Sequence, residues 1–354
     1  MRPRSALIAV AVGLVLVCAA SAGAAAGRST RTAAGGLTRL LPPPDGQSYF
    51  GFTFRLWDSS DPAVGDSRPF AQRIQDSITN ELAGKTPTFL NVYAGWQDHA
   101  NDGSQLIPFS NSENWISEVQ GVTGAGPHSL LYLDWTLSDT TAQNGGITTK
   151  DIASGKADDY IRQYARDLRA FANPVVIRLF GGEFNGSWWY GQSPLANPNL
   201  TPADFVAAWR RVVDIFRQVG AANVSFAWIP VVYPPSPAAW VDPNIDAYYP
   251  GDSFVDWVGA DTGDFASPSW LDSTYAFATS HAKPFFLAEF GIRHPSSTLT
   301  PAQEQTWLGS MFDYFESHPT SRRSTTSTTT LARSPTTLPK PSTSTGDRST
   351  TSPT

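Results

Sequence analysis

The sequence predicts an α/β fold: a parallel (β/α)8 TIM barrel whose eighth strand is missing or replaced by a disordered tail, or else an open parallel sheet. Three observations carry this reading. Seven short runs rich in β-branched and aromatic residues recur between residues 45 and 320, each bounded by Gly, Pro or Asn. Helical periodicities stand between several of them, and strand–helix alternation with short connections makes neighbouring strands parallel. The 354 residues, 41% of them apolar, are enough for one barrel.

Taken in order, residues 1–24 read as a secretory signal peptide. Arg2 and Arg4 precede an apolar run from Ala6 to Ala20, short for a bilayer span, and Ala20-Ser21-Ala22 or Ala22-Gly23-Ala24 suits a signal peptidase. The expected location is secreted and extracellular. Cys18 is the one cysteine, so the processed chain has no disulfide and relies on its core. Residues 25–44 read as a linker and residues 45–320 as the barrel domain. Its strands are predicted at Tyr49–Phe54, Thr88–Tyr93, Ser129–Asp134, Val175–Phe180, Val224–Pro230, Phe254–Asp261 and Pro284–Phe290.

Three helices carry clear signals. Lys156–Phe171 turns Tyr160, Ile161, Tyr164, Leu168 and Phe171 inward. Thr201-Pro202-Ala203-Asp204 is a capped start, followed by Phe205, Trp209, Val212, Phe216 and Val219 at helical spacing and a stop at Gly220. Thr300-Pro301 opens the last, with Trp307, Leu308, Met311 and Phe315 on one face. An eighth strand should follow within a few residues. Instead residues 321–354 are rich in Ser, Thr and Pro, lack aromatics, and cannot bury a core, which predicts a disordered tail.

The net charge is −6, and both ends are basic, so the body is more acidic still. That excludes a nucleic-acid partner, which needs a basic face, and favours a neutral substrate. Twelve Trp and eleven Tyr would suit flat polar ligands such as sugars as well as a large core. The five His are scattered, and Asp98, Asn101 and Asp102 read as a solvated turn. Gly84-Lys85-Thr86 lacks the earlier glycine of a phosphate loop. No metal and no cofactor are expected, no membrane contact after signal removal, and a monomer.

Two glutamates stand where parallel barrels keep their chemistry, at the C-terminal ends of strands. Glu183 follows Val175–Phe180, and Glu289 ends Pro284-Phe285-Phe286-Leu287-Ala288. By strict alternation Phe285, Leu287 and Glu289 share a strand face. A carboxylate ending so apolar a strand is costly unless paired or functional. Two carboxyls across a cleft suit glycoside hydrolysis: one protonates the leaving oxygen, the other attacks. Trp188, Trp189 and Tyr190 would raise the pKa of Glu183 and suit it to the acid role, and Asn185 could bond a sugar hydroxyl. Trp57, Trp96, Trp135 and Trp228 fall near strand ends, where each could stack a sugar or belong to the core.

Three segments carry a family resemblance. Ile177-Arg178-Leu179-Phe180-Gly181-Gly182-Glu183-Phe184-Asn185-Gly186-Ser187-Trp188-Trp189 resembles the acid/base segment of glycoside hydrolase family 26, a clan A family of mostly endo-β-mannanases. Tyr248–Asp261 and Lys283–Gly291 resemble its sixth-strand and nucleophile segments, and Ser154–Ile161 also matches. The resemblance implies a retaining (β/α)8 hydrolase with Glu183 as acid/base and Glu289 as nucleophile. It also implies Trp188 as the ring near the cleaved bond and Asp261 as a polar contact. Gly182 and Gly263 stand where the family has His and Tyr, and Arg178 or Tyr233 is expected to fill the gap. The implied activity is an endo-β-glycosidase acting on a plant-type polysaccharide, β-1,4-mannan first. The alternatives are a glucanase or xylanase of the same family, or a non-catalytic carbohydrate-binding protein on a degenerate barrel.

Overall fold

The computed structural model describes residues 14–17, 30–32, 38–43, 49–52, 89–97, 106–110, 130–137, 146–181, 183–188, 190–232, 240–264, 267–291 and 299–318. The tail at 321–354, Trp57, Gly182 and Tyr233 lie outside these residues.

All seven predicted strands form and lie side by side. They are β4 (Tyr49–Phe52), β5 (Phe89–Gly95), β6 (Leu130–Thr136), β7 (Val175–Leu179), β8 (Val224–Trp228), β9 (Trp257–Asp264) and β10 (Phe285–Gly291). Each pairs parallel with the next, from β4 to β10. The sheet closes, and the strand between β4 and β10 is β1 (Leu14–Val17), antiparallel to both. Among the described residues the eighth place of the sheet is thus taken by a segment from the apolar run near the N-terminus. Strand direction matters less than pairing, because an edge in either orientation satisfies its N–H and C=O groups.

The expected linker is also partly structured. A short hairpin, β2 (Thr30–Thr32) and β3 (Thr38–Leu40), spans its middle. Leu40 is buried with Phe89, Leu130, Tyr132, Val176, Ala227, Trp257 and Phe286, the interior of the barrel at the N-terminal ends of the strands. Arg39 pairs with Asp256 at 2.8 Å beside it. The hairpin therefore floors the barrel.

The helices form the outer layer. Those described are α1 (Thr149–Ala153), α2 (Asp158–Phe171), α3 (Pro202–Val219), α4 (Asp272–Ser280) and α5 (Pro301–Ser317). Thr201 caps α3 by accepting from Asp204 N, Asp204 reciprocates, and Gly220 ends it at φ 77°. Such a capping box is worth about 1 kcal/mol. The predicted face of α3 is buried through Phe205, Trp209, Val212 and Phe216. The predicted stripe of α2 splits: Ile161, Tyr164 and Leu168 are buried, while Tyr160 and Phe171 are half-buried against the same core. Helix α4 has no clear apolar stripe in sequence; it buries the small Thr274 and Ala278.

Candidate active site

Strand register brings the chemistry to one level of the barrel. Tyr93 on β5 lies opposite Asp134 on β6, Asp134 opposite Arg178 on β7, and Asp261 on β9 opposite Glu289 on β10. Arg178 is buried at their centre. Its Nη1 donates to Asp134 Oδ2 at 3.2 Å and to Glu289 Oε2 at 3.3 Å, and its Nη2 donates to Asp261 Oδ2 at 2.5 Å. Thr136 Oγ1 donates to Asp134 Oδ1 at 2.9 Å, and Tyr93 Oη lies 3.5 Å from Glu289 Oε2. One guanidinium thus gathers three carboxylates. Arg178 holds its proton more firmly than usual because those anions outweigh the cost of its burial.

Glu289 enters this cluster because β10 breaks its alternation. Two residues of β10 advance for one of β9 between Leu287 and Glu289, a β-bulge. Phe286 and Ala288 face the barrel interior, whereas Phe285 and Leu287 pack in the shell against the helices. The expectation that Phe285, Leu287 and Glu289 share a face is therefore corrected. The bulge re-aims the carboxyl inward, and Phe290 returns to the shell.

Glu183 reaches the site through a sharp turn. Phe180, Gly181 and Glu183 all have left-handed backbone, φ 66°, 76° and 50°. A Cβ on Gly181 would meet Thr136 Oγ1 at 2.5 Å. For Phe180 and Glu183 the left-handed conformation is strained and persists because neighbours hold it. Phe184 plugs into the shell against Phe205, Trp228 and Tyr248. Gly186 is required because a Cβ there would strike the Trp188 ring at 1.9 Å.

Tyr190 then folds back and donates to Glu183 Oε2 at 2.7 Å. Trp188 is half-buried, edge-on to Trp240 at 4.7 Å and parallel to Tyr190 at 6.5 Å.

The two glutamates feel one another. Both carboxyls are pushed above their ordinary range, Glu183 to about 8. Burial is the main cause, the negative charge of Asp261 adds to it, and Arg178 opposes it. Mutual repulsion raises Glu289 further. A buried pair like this keeps a proton between its members. Arg178 bonds Glu289 and favours its ionised form, while Tyr190 donates to Glu183.

Four other candidate residues belong to the packing. Asn185 is fully buried: its Nδ2 donates to Val231 O and Asp242 O, and its Oδ1 accepts from Val231 N. It ties two loops together and, being fully buried, offers no surface to a sugar. Trp96 and Trp135 are also fully buried, stacked on each other at 4.3 Å, with Trp135 stacked on Tyr164 of α2 at 4.3 Å. Asp134 faces inward, so Trp135 must face the helices. Trp228 is buried in the same shell. Arg178 and Asp261 stand beside the glutamates, both fully buried and bonded to each other. Tyr93, Asp134, Tyr190 and Trp240 were not singled out as ligands of the site. Asp134 had the same signal as Glu289, a carboxylate closing an apolar strand; Trp240 lies in a loop and had none. Among the described residues no group of His, Cys, Asp or Glu is arranged to hold a metal ion.

A mannanase structure from Bacillus subtilis superposes over 70% of this chain and 72% of that one with a TM-score of 0.50 at 17% identity, which shows the shared fold. Endoglucanase H of Acetivibrio thermocellus is 30% identical over 210 residues, 52% of this chain and 20% of its own length. A mannan endo-1,4-beta-mannosidase of Caldalkalibacillus mannanilyticus is 29% identical over 225 residues, 60% of this chain and 42% of that protein. A beta-1,3-xylanase of a Vibrio species is 28% identical over 232 residues, covering 55% and 47%. The chain spans between a fifth and about half the length of these curated relatives. The model of glycosyl hydrolase family 26 matches residues 147–327, a stretch that holds Arg178, Glu183, Tyr190, Asp261 and Glu289, and the chain belongs to that family.

Proposed function

We propose that the protein is a secreted, retaining endo-β-glycosidase, with β-1,4-mannan as its first substrate. The observation that carries this is the unequal pair: Glu183, pushed up to about 8 beside the Tyr190 hydroxyl, and Glu289, bonded to Arg178. In the first step Glu183 gives its proton to the glycosidic oxygen as Glu289 attacks the anomeric carbon and the leaving sugar departs. In the second, Glu183, now ionised, takes a proton from water, which displaces Glu289 and restores the β configuration. Trp188 stacks a sugar near the cleaved bond. Asp134 and Asp261 hold Arg178, which in turn keeps Glu289 charged. Arg2, Arg4 and the apolar run after them support export.

A glucan substrate is the second reading, favoured by the 30% identity to an endoglucanase. A reducing-sugar assay on mannan, mixed-linkage glucan and β-1,3-xylan decides among substrates, and NMR of the first product decides the stereochemistry. Initial release of the α anomer would exclude retention. Absence of hydrolysis on all three, with oligosaccharide binding intact, would instead indicate a binding protein.

A further inference from the structure

The turn that carries Glu183 is bracketed by a second stretch of chain, residues 240–242, which follows β8. The two stretches run antiparallel, with Gly186 opposite Val241. Ser187 N donates to Trp240 O at 2.8 Å, and Asp242 N donates to Asn185 O at 2.7 Å. Asn185 Nδ2 donates back to Asp242 O at 3.1 Å, and Tyr248 Oη fixes the far end by donating to Asp242 Oδ2 at 2.8 Å. This bracket seats one indole against another. The rings of Trp240 and Trp188 meet at 88°, with centroids 4.7 Å apart. The Trp188 ring also lies over Gly186, where a Cβ would strike it. A right-angle aromatic pair sets the positive edge of one ring on the negative face of the other, a directional preference that burial alone lacks.

We infer that Trp240 is a positioning residue: it fixes the orientation in which the Trp188 indole meets a sugar. Trp240 acts through Trp188 and not on the substrate. Without it the Trp188 ring is freer to turn, and ordering it again is a cost met on binding. Such a cost falls on KM, because it weighs on ground state and transition state alike. The bonds of residues 240 and 242 to the turn come from the backbone, so a change of the Trp240 side chain leaves them, and Glu183 with its Tyr190 bond, in place. The stacking of a sugar on Trp188 rests on the function proposed above; the hold of Trp240 on Trp188 does not.

Kinetics test the first part. Trp240→Ala should raise KM about three- to tenfold, with kcat within about twofold of the parent and the alkaline limb of kcat/KM unmoved. Trp240→Phe, which keeps an aromatic edge for the pair, should recover most of the loss. In a Trp188→Ala background, Trp240→Ala should add less than about twofold. A loss confined to kcat, a Phe variant as poor as the Ala variant, or an undiminished effect with Trp188 absent would overturn the inference. A second measurement reads the ring without catalysis. In protein labelled with 5-fluorotryptophan, the Trp188 fluorine signal is recognised by its loss in Trp188→Phe and should shift or broaden in Trp240→Ala. An unmoved signal would overturn the inference whether or not the chain hydrolyses a polysaccharide. A moved signal in a chain that hydrolyses none would refute the proposed function and leave the hold of Trp240 on Trp188 standing.

Discussion

Tyr190 donates to Glu183 at 2.7 Å, and Arg178 reaches Glu289 at 3.3 Å. In the proposed mechanism these two bonds divide labour between like groups. Glu183→Gln should lower kcat by about 10²–10⁴, and Glu289→Gln at least as far, with oligosaccharide affinity kept within about threefold, because each leaves the stacking surface intact. Calorimetric titration beside the turnover assay checks this; wild-type turnover in either variant refutes the assignment. The Tyr190 bond favours the ionised form of Glu183. Tyr190→Phe should therefore move the alkaline limb of kcat/KM to higher pH, whereas a merely structural loss would lower the whole profile without moving the limb. Folding raises Glu183 from its ordinary 4.5 to about 8. The stability this protonated group contributes is full below about 4.5 and is lost as the pH rises through 8. Glu183→Gln should accordingly melt near the parent at pH 5 and above it at pH 8.5; a gap that narrows with pH would contradict the shift.

The strands show where alternation can be trusted. On β6 it holds: Asp134 points inward, and Trp135 packs on Tyr164 in the shell. Trp135→Ala should cost about 3–5 kcal/mol yet leave KM unchanged for all substrates. A raised KM at unchanged stability would return Trp135 to the binding surface. On β10 alternation fails at the bulge after Leu287. A bulge has no reliable signature in residue types, so the final position of Glu289 was legible as an end-of-strand carboxylate but not as an exception to its own face. Capping, by contrast, is local chemistry. Thr201 with Asp204 and Thr300 with Gln303 form their boxes within four residues, and both helices begin where the sequence says.

The barrel is closed by two pieces of chain that its strand pattern does not contain. Leu40 of the β2–β3 hairpin is buried in the floor beside Phe89 and Trp257, and Arg39 reaches Asp256. Leu40→Ala should therefore destabilise the molecule by about 2–5 kcal/mol, as a buried core position does and a linker position does not. Denaturant unfolding checks it, and a change below about 0.5 kcal/mol would mean the hairpin is not part of the cooperative fold. Residues 30–40 are polar and short in apolar runs, so composition alone reads them as a linker. Their place depends on the opening at the bottom of seven strands formed far along the chain.

The sequence by itself determined the seven strands, the three strongest helices and the two glutamates. Periodicity, capping and the cost of ending an apolar strand in a carboxylate are local and survive without tertiary contacts. It also carried the family, since the segments around Glu183 and Glu289 are contiguous. The tertiary structure alone decided which polar groups meet. Tyr93, Asp134, Arg178, Asp261 and Glu289 converge from five strands through register across the barrel. It turned Asn185 from a ligand into a brace, because loops at Val231 and Asp242 close over it. It also set an N-terminal strand in the eighth place of the barrel. Backbone hydrogen bonding asks only for an extended partner, and a strand edge is a property of the assembled sheet rather than of any one segment.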